Sequence, residues 1–371
     1  MKCAMFENKV YLSDLKTTAG HVVNFDRIFG STVLVTGATG MIGAFLVDTL
    51  MQANKTLGAD VKAIACGRRK QKLKERFAHW DLDDCSRNLT FAEYDLLQEL
   101  PDSFRNIEAD YVIHVAGNAY PSAFVDHPQE TVEGNLIGTS RLLEYSKMHG
   151  VKKFIYISSG EVYSVPEDTV MCFKNELALS EDIEGFCEKV MERVTADGMR
   201  TCYPYSKVAA EAICMDPDNA KFCTLTRLCH TFGPGASPAD DRAHAQFARR
   251  AALGENIVLN SAGTQERSYN YVADAASGIL SCMTSGEAGE SYDICSAGNV
   301  ISIRGLAELM AKAAGVQVIV READAREERL KSPIMKQILD ASKLEKLGWE
   351  KAYNLEDSTA RYVEYLSSVA D

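Results

Sequence analysis

Short apolar runs rich in β-branched residues alternate along the chain with longer stretches whose apolar positions recur every three or four residues. The short runs are TVLVT (32–36), VKAIAC (61–66), LTFAEY (89–94), YVIHVA (111–116), KFIYIS (153–158) and FCTLTRL (222–228). Runs of this length, apolar nearly throughout, predict strands buried on both faces. Between them, MIGAFLVDTLMQAN (41–54) and NLIGTSRLLEYSKMHG (135–150) carry the helical spacing. The rhythm is that of βαβ units, so the pattern predicts an α/β fold with a parallel sheet covered on both sides by crossover helices.

After residue 230 the texture changes to HTFGPGASPADD, a Gly/Pro/Asp-rich loop, followed by interleaved helical and strand-like segments. The expected organisation is an N-terminal extension over 1–30, a dinucleotide-type sheet domain over 31–230, and a smaller, interleaved lobe over 231–371. YDICSA (292–297) is expected to return to the main sheet as its last strand, near 291–297. Residues 1–30 read as a strap or a helix packed on the outside.

Composition narrows the function. With 371 residues, 46% hydrophobic and 25% charged, the chain has ample material for a large buried core. A net charge of -12 and a pI near 5.2 leave no basic field for a phosphate backbone, so no nucleic-acid partner is expected, and any anionic ligand must be met by local cations. Eleven cysteines, an odd total with no CxxC, read as reduced thiols rather than disulfides or a zinc site, so no metal is expected. No apolar stretch approaches the ~18 residues of a membrane span. The expected location is the cytoplasm.

TGATGMIG (36–43) follows the first strand and opens the first helix, with Gly37, Gly40 and Gly43 three apart. Glycines there allow a tight turn and let a pyrophosphate approach the helix N-terminus, whose partial charges stabilise an anion by up to ~2 kcal/mol. At the end of the second strand, where an acid would bind a ribose 2′-hydroxyl, stand Gly67, Arg68 and Arg69. Either the arginines grip a 2′-phosphate, or the run RRKQKLKER is a solvated helix face with an arginine covering the adenine. The expected cofactor is NAD or NADP, with a slight lean to NADP. Asp95, after the third strand, is either a contact to the adenine edge or a turn residue.

Tyr203 and Lys207 in YPYSK lie four apart and share a helix face. Lys207 and a nicotinamide cation together would draw the phenol down from its ordinary ~10, so that it accepts a proton from a substrate hydroxyl. Ser159, at the end of a strand, would hydrogen-bond the same hydroxyl.

With DYVIHVAG (110–117), NLIGTSRLLE (135–144), ISSGEVY (157–163), CYPYSK (202–207), FGPG (232–235), RSYNYVAD (267–274) and LGW (347–349), the chain from about residue 31 onward resembles the extended short-chain dehydrogenase/reductase family of nucleotide-sugar epimerases, dehydratases and decarboxylases. The resemblance implies a Rossmann-type doubly wound sheet with a smaller C-terminal substrate lobe, a homodimer, and a nucleotide-diphosphate sugar as substrate. It implies Ser159, Tyr203 and Lys207 as the catalytic triad. The cofactor set it implies is Gly37, Thr39, Gly40, Met41, Ile42, Gly43, Arg68, Arg69, Asp95, Leu96, Val115, Ala116 and Gly117, with Tyr203 and Lys207. Arg267 would grip the substrate diphosphate, and Arg242 in DDRAHAQF falls where relatives place another substrate-side arginine.

The turn ISSGEVY distinguishes reactions within that family. Dehydratases with an Asp-Glu pair carry an acid where this chain has Gly160, while Glu161 remains as a base or orienting group. UDP-glucuronate decarboxylases and GDP-mannose dehydratases have Ser then Glu, and the downstream texture resembles the decarboxylases most. The expected function is thus an NAD(P)-dependent nucleotide-sugar enzyme working through a keto sugar, most like a UDP-glucuronate decarboxylase. The alternatives are a 4,6-dehydratase or 4-epimerase, a reductase of a carbonyl compound, and an NADP-sensing protein without turnover. Ser159, Gly160, Glu161, His230, Arg242 and Arg267 are the expected substrate contacts.

Two features depart from the pattern. His230 stands where relatives usually have Asn, and it signals either a different substrate or a buried imidazole held by backbone. The acidic segment around SEDIEGFCEKVMERV, between Glu161 and Tyr203, either reshapes the sugar pocket or decorates the surface.

Overall fold

A computed structural model describes residues 7–80, 85–119, 121–322 and 334–370. The first six strands are β1 (Thr32–Thr36), β2 (Lys62–Gly67), β3 (Leu89–Glu93), β4 (Tyr111–His114), β5 (Lys153–Ser159) and β6 (Cys223–Leu228). Then come β7 (His230–Phe232), β8 (Ile257–Leu259), β9 (Glu266–Tyr271), β10 (Ser291–Ile294), β11 (Val300–Ser302), β12 (Val318–Val320) and β13 (Lys336–Gln337).

Seven strands form one sheet in the order β10-β6-β5-β4-β1-β2-β3, every neighbouring pair parallel. The apolar runs are buried on both faces because side chains alternate along a strand: Val33 and Val35 enter one core, Leu34 the other, and all three are 0% exposed. The order reverses between β1 and β4, which makes the sheet doubly wound as expected. Segment Ser291–Ile294 runs parallel to β6 at the sheet edge.

The crossover helices outrun the apolar periodicity at one end each. Met41–Leu57 continues to Gly58, whose left-handed backbone ends it, and Pro128–Met148 begins at a proline suited to a first turn. Beyond β6, strand β9 carries β11 and β13 on its two sides and pairs with β7. β8 and β12 form a separate parallel pair.

Helix Lys9–Gly20 is built into the core rather than laid over it. The Tyr11 hydroxyl donates to Asp48 at 2.6 Å, and Arg76 and Trp80 donate to the same carboxylate. Asp14 accepts from Tyr271, Tyr353 and Arg361. Each buried carboxylate is thereby saturated with donors, the condition for placing such a charge inside. The acidic segment forms helices Glu167–Leu179 and Ile183–Asp197, which pack on Pro128–Met148 and Cys202–Cys214. Phe173, Phe186, Val190 and Val194 are buried there. Among the described residues no helix is long and apolar enough to cross a membrane, and no group of three or more His, Cys, Asp or Glu side chains is arranged to hold a metal.

Candidate functional site

The C-terminal ends of β1, β2, β4, β5 and β6 open into one cleft of about 860 Å³. At one end lie Gly37, Thr39, Gly40, Met41, Ile42 and Gly43. Gly37 has a left-handed backbone (φ +65°), and a Cβ there would stand 2.8 Å from the Ala116 backbone. A Cβ on Gly43 would stand 2.4 Å from the Gly37 carbonyl oxygen. The Thr36 hydroxyl accepts from the Val115 and Ala116 amides and so draws the end of β4 against the loop. The result is a cradle of bare backbone at a helix N-terminus, which fits the pyrophosphate of a dinucleotide.

Along the cleft wall follow Arg68, Asp95 and Leu96, with Val115, Ala116 and Gly117. Arg69 is not among the lining residues. Its backbone is extended, so successive side chains point opposite ways, and Arg68 lines the cleft while Arg69 stands just before helix Lys70–Phe77 and makes no side-chain capping bond. Asp95 lines the cleft, and its carboxylate accepts from the Leu97 amide as a turn residue does.

Tyr203, Lys207, Ser159 and Glu161 converge at the middle of the cleft. The Tyr203 ring stacks on Phe124 with centroids 5.0 Å apart, and the Ser159 hydroxyl, which accepts from the Glu161 amide at 3.2 Å, lies near enough to influence the phenol. Burial and the Glu161 carboxylate push the phenol up to about 12, against Ser159 and Arg242. Burial is the largest of these causes. Lys207 donates to the Ile157 carbonyl at 2.9 Å and lies over the Tyr156 ring, and burial lowers it to about 8. Burial also raises Glu161, opposed by Arg200, Arg267 and Arg242.

The remaining substrate candidates behave differently from one another. Gly160 is not among the lining residues: a Cβ there would meet Leu339 Cδ1 at 2.8 Å, so the position faces the packing between the turn and the C-terminal segment. Arg242 lines the cleft and is paired with Asp240. Arg267 also lines it, yet donates to the backbone carbonyls of Glu266, Ile334 and Met335, which leaves part of its guanidinium for a ligand. His230 is bonded through Nε2 to the Gln337 side chain at 2.9 Å rather than to backbone. Burial, Arg267 and Arg242 lower its imidazole to about 3, so it is neutral.

Sequence reasoning missed Arg200, Asn135, Phe124 and Gln337, all of which line the cleft. Arg200 lies over the Phe124 ring, and its buried NH1 has no hydrogen-bond partner among the described residues. It is the end of the acidic segment, whose two helices contribute no lining residue. Asn135 belongs to the quoted NLIGT motif, and its buried Oδ1 lies 3.1 Å from where a Gly117 Cβ would be.

Comparison with known proteins agrees with this geometry. UDP-glucuronic acid decarboxylase 1 of Xenopus tropicalis is 26% identical over 341 residues, 90% of this chain and 71% of that protein. GDP-6-deoxy-D-mannose reductase of Pseudomonas aeruginosa is 32% identical over 248 residues, 64% of this chain and 74% of that protein. In fold, the chain is similar to UDP-glucuronic acid 4-epimerase from Bacillus cereus, solved with UDP-glucuronic acid and NAD. The TM-score is 0.68 at 20% identity, covering 91% of this chain and 99% of that one. The model of the NAD dependent epimerase/dehydratase family matches residues 33–298, and the chain, with its glycine cradle, doubly wound sheet and converging Ser159, Tyr203 and Lys207, belongs to that family.

Proposed function

We propose that this chain oxidises one carbon of a nucleotide-diphosphate sugar to a ketone, and that the sugar is a uronic acid which then loses carbon dioxide. One observation carries the reading: Arg200, Arg267 and Arg242 act together on Glu161 beside Tyr203, and the buried NH1 of Arg200 lacks an acceptor among the described residues. An unmet buried donor costs about 1–3 kcal/mol, which a sugar carboxylate relieves with a charge-assisted bond. The similarity to UDP-glucuronic acid decarboxylases supports the same choice.

NAD is the cofactor named for the family, and the glycine cradle with Val115, Ala116 and Gly117 would hold it. When bound, it supplies the acceptor for the hydride of the sugar carbon. With the nicotinamide charge and Lys207 drawing its phenol down from the raised value of the ligand-free chain, Tyr203 Oη would take the proton of the sugar hydroxyl, and Ser159 Oγ would hold the same oxygen. The ketone stands β to the carboxylate, so the C–C bond breaks with its electron pair entering an enolate, whose oxygen the two hydroxyls stabilise; the enolate carbon then takes up a proton, and return of the hydride to the ketone carbon, with Tyr203 giving back its proton, leaves loss of carbon dioxide as the net change. Glu161 orients the sugar. The expected lean to NADP is not supported: solved structures similar in fold hold NAD, and of the two arginines only Arg68 lines the cleft.

A second reading, a reductase of a keto sugar, is favoured by the identity to GDP-6-deoxy-D-mannose reductase. Incubation with UDP-, dTDP-, GDP- and CDP-sugars, read by mass, separates the readings. Loss of carbon dioxide from a uronic acid is the expected result, with Tyr203→Phe inactive but still binding NAD. Loss of water, an isobaric new sugar, or net consumption of reduced cofactor would replace decarboxylation. No turnover of any sugar would overturn the enzyme reading. A homodimer is the expected assembly, to be read by light scattering.

A further inference from the structure

Tyr203, Lys207 and Glu211 follow one another at four-residue spacing on helix Cys202–Cys214, so all three share its inner face. Glu211 is 8% exposed. A carboxylate that deep requires partners, and it has three charge-assisted or hydroxyl contacts. Its Oε1 accepts from Ser158 Oγ at 2.6 Å and from Arg227 Nε at 2.9 Å, while Oε2 accepts from Arg227 NH2 at 2.7 Å.

The contacts run on into the turn that carries Glu161. Arg227 NH1 donates to the Tyr163 hydroxyl at 2.9 Å, and Tyr163 donates to Asp293 at 2.7 Å. Ser158 is the residue before Ser159, and Tyr163 is the second residue after Glu161. One bidentate ion pair therefore ties the end of β5, the following turn and the catalytic helix together. Glu211 also lies one helical turn from Lys207; Cys214 and, after it, Glu211 oppose the effect of burial on the ammonium, which also faces His114 and the Tyr156 ring.

We propose that Glu211 is a positioning residue of this site: through Ser158 and Arg227 it fixes the end of β5 and the following turn, and so Ser159, against the helix that carries Tyr203 and Lys207. The inference rests on the reading of Ser159, Tyr203 and Lys207 given above. A purely structural ion pair would stabilise the fold without touching the titration of Lys207 or the chemical step.

The test uses the full chain carrying Glu211→Gln, which keeps the shape and removes the charge. If that variant is too unstable, the double variant Glu211→Met/Arg227→Met leaves no charge stranded and serves in its place. The first measurement needs no substrate. The stability difference between each protein and its own Lys207→Met counterpart is followed against pH, and its inflection should move to lower pH when Glu211 loses its charge. The second uses the sugar turned over by the wild type. kcat should fall roughly ten- to a hundredfold with little change in KM, as for misplaced reacting groups, and the alkaline limb of kcat should shift the same way. Glu211→Asp should recover part of the pH behaviour. An unmoved inflection, or a folded variant with wild-type kcat and pH limbs, overturns the proposal. If the wild type turns over no sugar, the enzyme reading fails, and the substrate-free inflection still decides whether Glu211 governs Lys207.

Discussion

Replacing Lys207 by Met should make the protein more stable and inactive at once. Lys207 is 5% exposed, and its ammonium is held by the Ile157 carbonyl and the Tyr156 ring. Burial lowers it from 10.5 to about 8. At pH 7 the folded chain therefore carries a charge that the interior disfavours, at a cost of about 3 kcal/mol. Met fills nearly the same volume without the charge but leaves the Ile157 carbonyl without its donor, which returns ~1–2 kcal/mol. The net expectation is a gain of about 1–2 kcal/mol at pH 7 in urea unfolding of the cofactor-free protein. The sign follows from the depressed value: between about 8 and 10.5 the unfolded chain binds the extra proton, so wild-type stability rises with pH there. The gap to the variant should accordingly shift by about 2 kcal/mol in favour of the wild type between pH 7 and 10. A variant less stable than wild type at pH 7, or a gap independent of pH, would refute the reasoning.

Gly43→Ala should lower NAD affinity by roughly tenfold or more, since its Cβ would lie 2.4 Å from a backbone oxygen that cannot swing away; unchanged affinity in a fluorescence titration would show that the loop yields. Asp274, 0% exposed and raised to about 6 by burial in spite of the Ala352 and Tyr353 amides, favours its protonated form in the folded chain. Stability should fall by about 3 kcal/mol on this account as pH rises from 3.8 through 6, and Asp274→Asn should flatten that limb; identical limbs in wild type and variant would remove Asp274 as its source. Arg68→Ala should weaken NADP far more than NAD if the guanidinium meets a 2′-phosphate, whereas equal losses would assign it to covering the adenine.

Much of this molecule is determined by its local pattern. Apolar runs such as TVLVT can only be strands sealed on both faces, and Thr32–Thr36 is β1 to the residue. The glycine spacing in TGATGMIG and the four-residue interval from Tyr203 to Lys207 are equally local. Backbone sterics and helical geometry convert them directly into a cradle and a shared face. Tertiary structure decided what those residues meet. Gly160 looked like a missing acid in the chemistry, but its neighbour is Leu339, far along the chain, and the position packs rather than reacts. Arg267 looked free for a diphosphate, but much of its guanidinium is bonded to the carbonyls of residues 334 and 335. Arg200 gave no signal in sequence, since an arginine after a surface helix is ordinarily solvated. Its place over Phe124 and beside Glu161 exists only once the sheet has brought the ends of β4 and β5 next to helix Cys202–Cys214. Spacing along the chain is set by bond geometry over a few residues. Burial and charge pairing depend on partners that only folding brings within reach.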